Sequence, residues 1–411
     1  MTMLRRVLPL ALLTLIAVQA KAWDGLFVPT SDYTDETPMP TTMPSAALLQ
    51  DGRVAIANGD SIHLFDPAHS TLTRAVTLPV WLPGARFVPL PNGKALLIGD
   101  YYTMNRGIVF DSANNSVVQT PDLSAPRVWS SVTRLASGKV MLAGGCATNT
   151  CATPLATTDI FDPASGTFSP GPNMLQRRVY HSATLLADGR VLFYGGQGYA
   201  ASAADGGGLH ALDTAEIYDP ATNSFAYARD QSGNQTHMWW SRSYHTGSAL
   251  TNGDALLCGG RQIGTADYGP AYSCDIFVAT TGEIHSSPPV PGDSYRQDIL
   301  PYGSGAMDHA ATALADGTLL IAGGTGGIWP VPQAGAFVYS PATRAFHAVA
   351  DMAHARRDAA SVRLLDGSVL MIGGQTTPTS PDPSLPYSNY PWTPTMERYL
   401  PEVIFKDGFE H

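Results

Sequence analysis

Arg178-Val-Tyr-His-Ser-Ala-Thr-Leu-Leu-Ala-Asp-Gly-Arg-Val-Leu-Phe-Tyr-Gly-Gly196 reads as an apolar strand, an Asp-Gly turn, a second apolar strand and a Gly-Gly stop. Asp-Gly between two such runs is a strong hairpin signal, and a two-residue turn of this kind places both turn residues at positive φ. The pattern returns with its turn glycine at Gly52, Gly93, Gly138, Gly189, Gly253, Gly317 and Gly367. Seven residues later stands Gly59, Gly145, Gly196, Gly260, Gly324 or Gly374, with Asp100 in the second copy. Seven in-phase copies make one array, so the length prior of two or three domains for 411 residues does not apply.

Outward from each hairpin comes a stretch of variable length and then an aromatic-Asp-Pro element. Phe65-Asp66-Pro67, Phe161-Asp162-Pro163 and Tyr218-Asp219-Pro220 are the clearest, followed by a short polar turn of constant length. Each unit is therefore four strands, a to d, with short a–b and c–d turns on one edge and variable b–c and d–a loops on the other. A lone four-stranded sheet of this kind cannot bury both faces, but seven stacked around an axis can. The expected fold is all-β, a seven-bladed β-propeller with strand a innermost. Blade seven supplies a and b (Ala359 to Gly374) and c around Met396 to Leu400, but no clear d. Trp23-Asp-Gly-Leu-Phe-Val28 precedes the first strand a as other d strands precede theirs, so it is expected to close the ring.

The run R-x-x-H-S-A-T-L-L-A-D-G-R-V-L-x-x-G-G at 178–196 resembles a near-consensus kelch repeat, of the kind found in the central domain of galactose oxidase. The resemblance covers about residues 40 to 401. It implies the propeller fold and leaves activity open, because one fold hosts many functions. Tyr180-His181 and Tyr244-His245 also resemble the Tyr-His pair that holds copper in galactose oxidase. That family further requires a thioether-forming Cys near a second ligand Tyr and a His from a C-terminal domain. Here the cysteines read as paired, none lies in blade one or two, and the chain ends with the propeller. A radical-copper oxidase is not expected.

Residues 1–22 read as a signal peptide: Arg5 and Arg6, the apolar run Val7 to Val18, and an Ala20-Lys21-Ala22 cleavage site. The run is shorter than the ~20 residues that span a bilayer. Cleavage removes three of 24 bases and none of 34 acids, leaving net −13. That disfavours nucleic acid and anionic membranes as partners. In an exported chain the four cysteines pair by proximity, Cys146 with Cys151 and Cys258 with Cys274, and neither spacing is a zinc pattern. The expected destination is secreted or periplasmic. The propeller spans 23–402, and 403–411 form a short tail.

Long loops on the b–c and d–a edge of blades four to seven carry Trp239, Trp240 and Trp329 among many aromatics. Such loops on a rigid scaffold favour recognition of a sugar or peptide. Eight residues before the turn glycine stand His181, His245 and His309, and one earlier Tyr180, Tyr244 and Asp308. Three imidazoles at one mouth would suit zinc or copper, whereas kelch repeats also place His there for packing. Arg127, Arg178, Arg242 and Arg356 stand eleven residues before the turn glycine, read as braces in preference to a ring receiving a ligand carboxylate. The glycines at 206–208 sit in a loop and imply no phosphate cradle. The expected role is an exported binding protein for a carbohydrate or protein on the long-loop face. The alternative is a metal-dependent oxidoreductase or carbohydrate-active enzyme centred on the axial mouth.

Overall fold

The hairpin forms at every expected place; in blade 2 Asn92 and Gly93 are both left-handed (φ 64° and 73°), whereas the Asp-Gly hairpins use a different turn. Leu186 N donates to Arg190 O (2.8 Å) and Gly189 N to Leu186 O (3.0 Å), so three residues, Ala187 to Gly189, make the loop. Only Gly189 is left-handed (φ 87°), and Asp188 instead accepts the Arg190 amide at 3.0 Å. This is the three-residue hairpin with a glycine bulge, not the two-residue turn the dipeptide suggests. Asp51, Asp316 and Asp366 hold the amide two residues on in the same way.

A computed structural model describes residues 25–30, 43–99, 105–199, 208–238, 240–261, 273–286, 307–326, 331–377 and 391–401. It holds seven four-stranded antiparallel sheets, each in the order a-b-c-d. In blade 4 these are Ser182–Leu185, Val191–Tyr194, Ala215–Asp219 and Ser224–Tyr227. Strand a of each blade packs on strand a of the next, and Ala360–Arg363 of blade 7 meets Ser45–Leu48 of blade 1. The result is a closed seven-bladed β-propeller.

Ring closure is by the N-terminal strand. Leu26–Pro29 pairs antiparallel with Met396–Leu400 as strand d of blade 7, and Phe27 packs on Tyr399 with ring centroids 5.1 Å apart. Trp23 and Asp24, and with them residues 1–22 and the tail, lie outside the described residues.

The core lies between blades. Strand b is buried along its whole length, as in Val140–Ala143, Val191–Tyr194 and Val369–Ile372, because both its faces meet a neighbouring sheet. Leu192 and Tyr194 of blade 4, for example, pack against Ala255, Leu257 and Phe277 of blade 5. Continuous apolar runs here, with no alternation, follow from that two-sided burial.

Candidate functional site

The chain entering strand a carries three structural or functional positions at fixed distances from the turn glycine. Arg178 is fully buried and braces its own blade. Its Nη1 donates to the carbonyls of Gly195 and Thr214 (both 2.9 Å), and Nε donates to Glu216 on strand c (2.9 Å). Glu216 also accepts the amides of Leu175 (2.6 Å) and Gln176 (3.0 Å) in the incoming connection. The Arg178 carbonyl meanwhile accepts from Gly145 N of blade 3 at 2.8 Å, tying the two blades. Arg127–Asp159 (2.6 Å), Arg242–Asp275 (2.9 Å) and Arg356–Glu397 repeat the pair, all with essentially no exposure. Enclosed in this way, the arginines brace the loops and cannot receive a ligand.

Three positions on, the histidines point around the ring, each toward the blade before. His181 Nε2 lies 2.9 Å from Ser131 Oγ, His245 Nε2 2.8 Å from Ser182 Oγ, and His309 Nε2 2.7 Å from Thr246 Oγ1. Gly144 and Gly195 leave room for the rings of His181 and His245. A Cβ on Gly195 (φ 58°) would stand 2.5 Å from Arg242 O and 2.9 Å from His245 Cε1. The imidazoles are therefore distributed as inter-blade latches, one per interface. Among the described residues no group of three or more His, Cys, Asp or Glu is arranged to hold a metal.

Burial first, then the nearby Arg178 and Arg86, lowers the pKa of His181 to about 3; burial holds His245 well below its ordinary value too. A histidine whose folded pKa lies under its unfolded value contributes its full stability above pH 6.5 and loses it as pH falls towards 3. The loss is about 1.4 kcal/mol per pH unit for each such ring. The urea midpoint should therefore drop between pH 6.5 and 4.5, and less steeply in His245→Asn. A midpoint that is flat or rising over that range would contradict the latch.

One residue before each histidine register lies the axial mouth. Gly84, Trp129, Tyr180, Tyr244, Asp308 and Asp358 occupy this position in blades 2 to 7, and all six are left-handed, with φ between 53° and 71°. Non-glycine residues adopt that region at a cost, and such strain gathers at functional sites. All six positions stand at the entry to strand a, the strand that packs on its neighbours around the ring. Tyr244 N donates to Tyr180 O (3.1 Å) and Asp358 N to Asp308 O (3.0 Å), holding adjacent members in register.

The mouth has two unlike walls. On blades 3 to 5 the rings of Trp129 and Tyr180 lie 4.9 Å apart, and those of Tyr180 and Tyr244 stack at 4.1 Å. On blades 6 and 7 stand Asp308 and Asp358. Burial pushes Asp358 up to about 8, helped by the Asp308 charge and opposed by Arg357 and Arg86. Burial likewise raises Asp308, against Arg357. Between the walls is an opening at Gly84, where an added Cβ would meet nothing within 4 Å.

The structure thus brings Tyr180, Tyr244 and Asp308 together at one mouth, as their shared register implies. Trp129 and Asp358 complete it and were legible as the same register position in blades 3 and 7. Trp240 is 46% exposed in the connection from blade 4 to blade 5. Trp239 and Trp329 lie outside the described residues. The disulfides Cys146–Cys151 and Cys258–Cys274 are both present, each binding the b–c segment of its blade. No helix among the described residues is long and apolar enough to cross a membrane, which with two disulfides is compatible with an extracellular protein.

No family model and no curated protein matches the chain. A solved structure of a fungal alcohol oxidase of the AA5 family, in complex with copper, is similar with a TM-score of 0.63 at 14% identity. It covers 92% of this chain and 76% of its own length. The likeness establishes a propeller of the galactose oxidase type. At this identity the likeness is one of fold; in this chain the Nε2 atoms of His181 and His245 each lie within hydrogen-bond distance of a serine hydroxyl of the preceding blade.

Proposed function

We propose that the protein is an exported propeller that binds a carbohydrate at the axial mouth of its long-loop face. The observation carrying this reading is the Trp129–Tyr180–Tyr244 stack facing the Asp308–Asp358 pair across the axis. Sugars present flat C–H faces beside hydroxyl groups, and an aromatic wall opposite carboxyl groups complements both. Trp240, exposed in the connection from blade 4 to blade 5, offers a further apolar surface. The net negative charge fits the absence of any nucleic-acid partner in this reading.

The test is binding of the mature protein to immobilised glycans, neutral and uronate-containing, followed by calorimetry on the strongest hit. Tyr180→Ala and Trp129→Ala should each weaken binding about tenfold or more, the ~1.4 kcal/mol expected of a lost aromatic contact. Unchanged affinity in both variants, with the fold intact by circular dichroism, would reject the mouth as the site.

A second reading, a carbohydrate-active enzyme at the same mouth, is favoured by one specific observation. A carboxyl held protonated near neutrality beside a second carboxyl is the pairing of acid and base that glycosidic-bond chemistry uses. In that case the bound glycan is cleaved, and Asp358→Asn abolishes release of new ends while leaving binding in place.

A further inference from the structure

We infer that the axial site takes an acidic sugar, a uronic acid residue, whose carboxylate is received by Arg86. The inference rests on the reading of the mouth as a carbohydrate site and deepens it.

Arg86 opens strand a of blade 2, Arg86–Pro89. Seven residues before the turn glycine, this is the position that carries Ser131, Ser182 and Thr246 in blades 3 to 5. There each hydroxyl is met by a histidine of the following blade. Blade 3 offers Ser130 at the histidine register, so no such latch meets Arg86. The guanidinium is also within electrostatic reach of Asp358 in blade 7 and His181 in blade 4. Arg86 therefore stands at the head of the inner strand of blade 2, beside the axial mouth.

Its surroundings point to a ligand. Arg86 is exposed at the head of its strand, while the rest of that strand is buried or half-buried. It forms no hydrogen bond and no ion pair with another described residue. Asp358 is the nearest acid in charge terms, but its own ion-pair contact is Arg357, at 3.7 Å. The contrast with Arg178, which makes contacts through every nitrogen, is complete. An exposed guanidinium with no partner among the described residues is free to receive a ligand, and a planar carboxylate is the partner its fork geometry matches. The open sector at Gly84 lies two residues upstream in the same blade, so entry and charge share one side of the mouth. The Trp129 ring borders that sector from blade 3 and can carry the sugar face. With Asp358 neutral below about pH 8, repulsion of an incoming anion is reduced.

The test uses the full mature chain and an array of oligogalacturonate and alginate fragments beside galactan, glucan and chitin fragments. The strongest hits should carry carboxylates. For the best oligouronate, Arg86→Gln should weaken binding at least about tenfold, the usual scale of a lost charge-assisted contact. Arg86→Lys should recover part of it, and the melting midpoint of both variants should stay close to that of the parent. Hits confined to neutral glycans, or an oligouronate affinity unmoved by Arg86→Gln, would overturn the inference while the carbohydrate reading stood. No binding to any glycan would overturn both. A fall in stability on Arg86→Gln with unchanged affinity would make Arg86 a structural counter-ion of Asp358 and overturn the inference alone.

Discussion

Arg178→Ala should destabilise the protein by about 3–5 kcal/mol, the range for removing one member of a buried ion pair. The mechanism is specific. Glu216 would be left buried, keeping the amides of Leu175 and Gln176 but losing its cation. The carbonyls of Gly195 and Thr214 and the Thr214 hydroxyl would lose donors at the same stroke. Chemical denaturation, comparing midpoints and slopes, measures the loss. The double variant Arg178→Met with Glu216→Leu should be less destabilised than the single one, because it removes the stranded charge together with its partner. A double variant that loses the sum of both single losses would refute the pair as a coupled unit. A single variant within about 1 kcal/mol of the parent would refute the brace itself, that being the scale of one ordinary hydrogen bond.

Removing residues 25–30 should have an effect of similar size by a different route. Leu26–Pro29 supplies four register pairs to Met396–Leu400 and covers Tyr399 with Phe27. Partial burial of Leu26, Phe27 and Val28, with the lost ladder bonds, amounts to about 4–6 kcal/mol. The loss also leaves strand c of blade 7 as an open edge, which invites pairing with another chain. The expected result is a much lower denaturation midpoint and concentration-dependent association by analytical ultracentrifugation. A monomeric truncated protein with the parent midpoint would show that blade 7 does not need its N-terminal strand.

The brace was half-legible in the sequence. Arginines eleven residues before the turn glycine occur in blades 3, 4, 5 and 7. An acid stands two residues before the strand-c aromatic in those same blades, as Asp159, Glu216, Asp275 and Glu397. Blades 1, 2 and 6 lack both members, with His63, Ile108 and Phe337 at the acid position. Repeats within one chain can thus reveal a contact by joint presence and absence. The histidine register was equally visible, but its direction was not. Sequence alone allowed the rings to converge on a metal, whereas the structure turns each onto a hydroxyl of the preceding blade.

The sequence by itself determined the architecture: seven four-stranded units, an N-terminal strand closing the ring, and two local disulfides. It could do so because repeat period, turn chemistry and apolar runs are local, and seven copies of a local signal reinforce one another. Only the tertiary structure decided the candidate site. Trp129, Tyr180, Tyr244, Asp308 and Asp358 come from five blades separated by 229 residues of chain between first and last. They come together because the ring closes and because each stands, left-handed, at the entry to the strand that packs around the ring. Which wall each faces, that Arg86 stands among them without an ion-pair partner, and that Asp358 is driven towards neutrality are properties of that convergence. Burial and mutual distance exist only once the blades are in a circle.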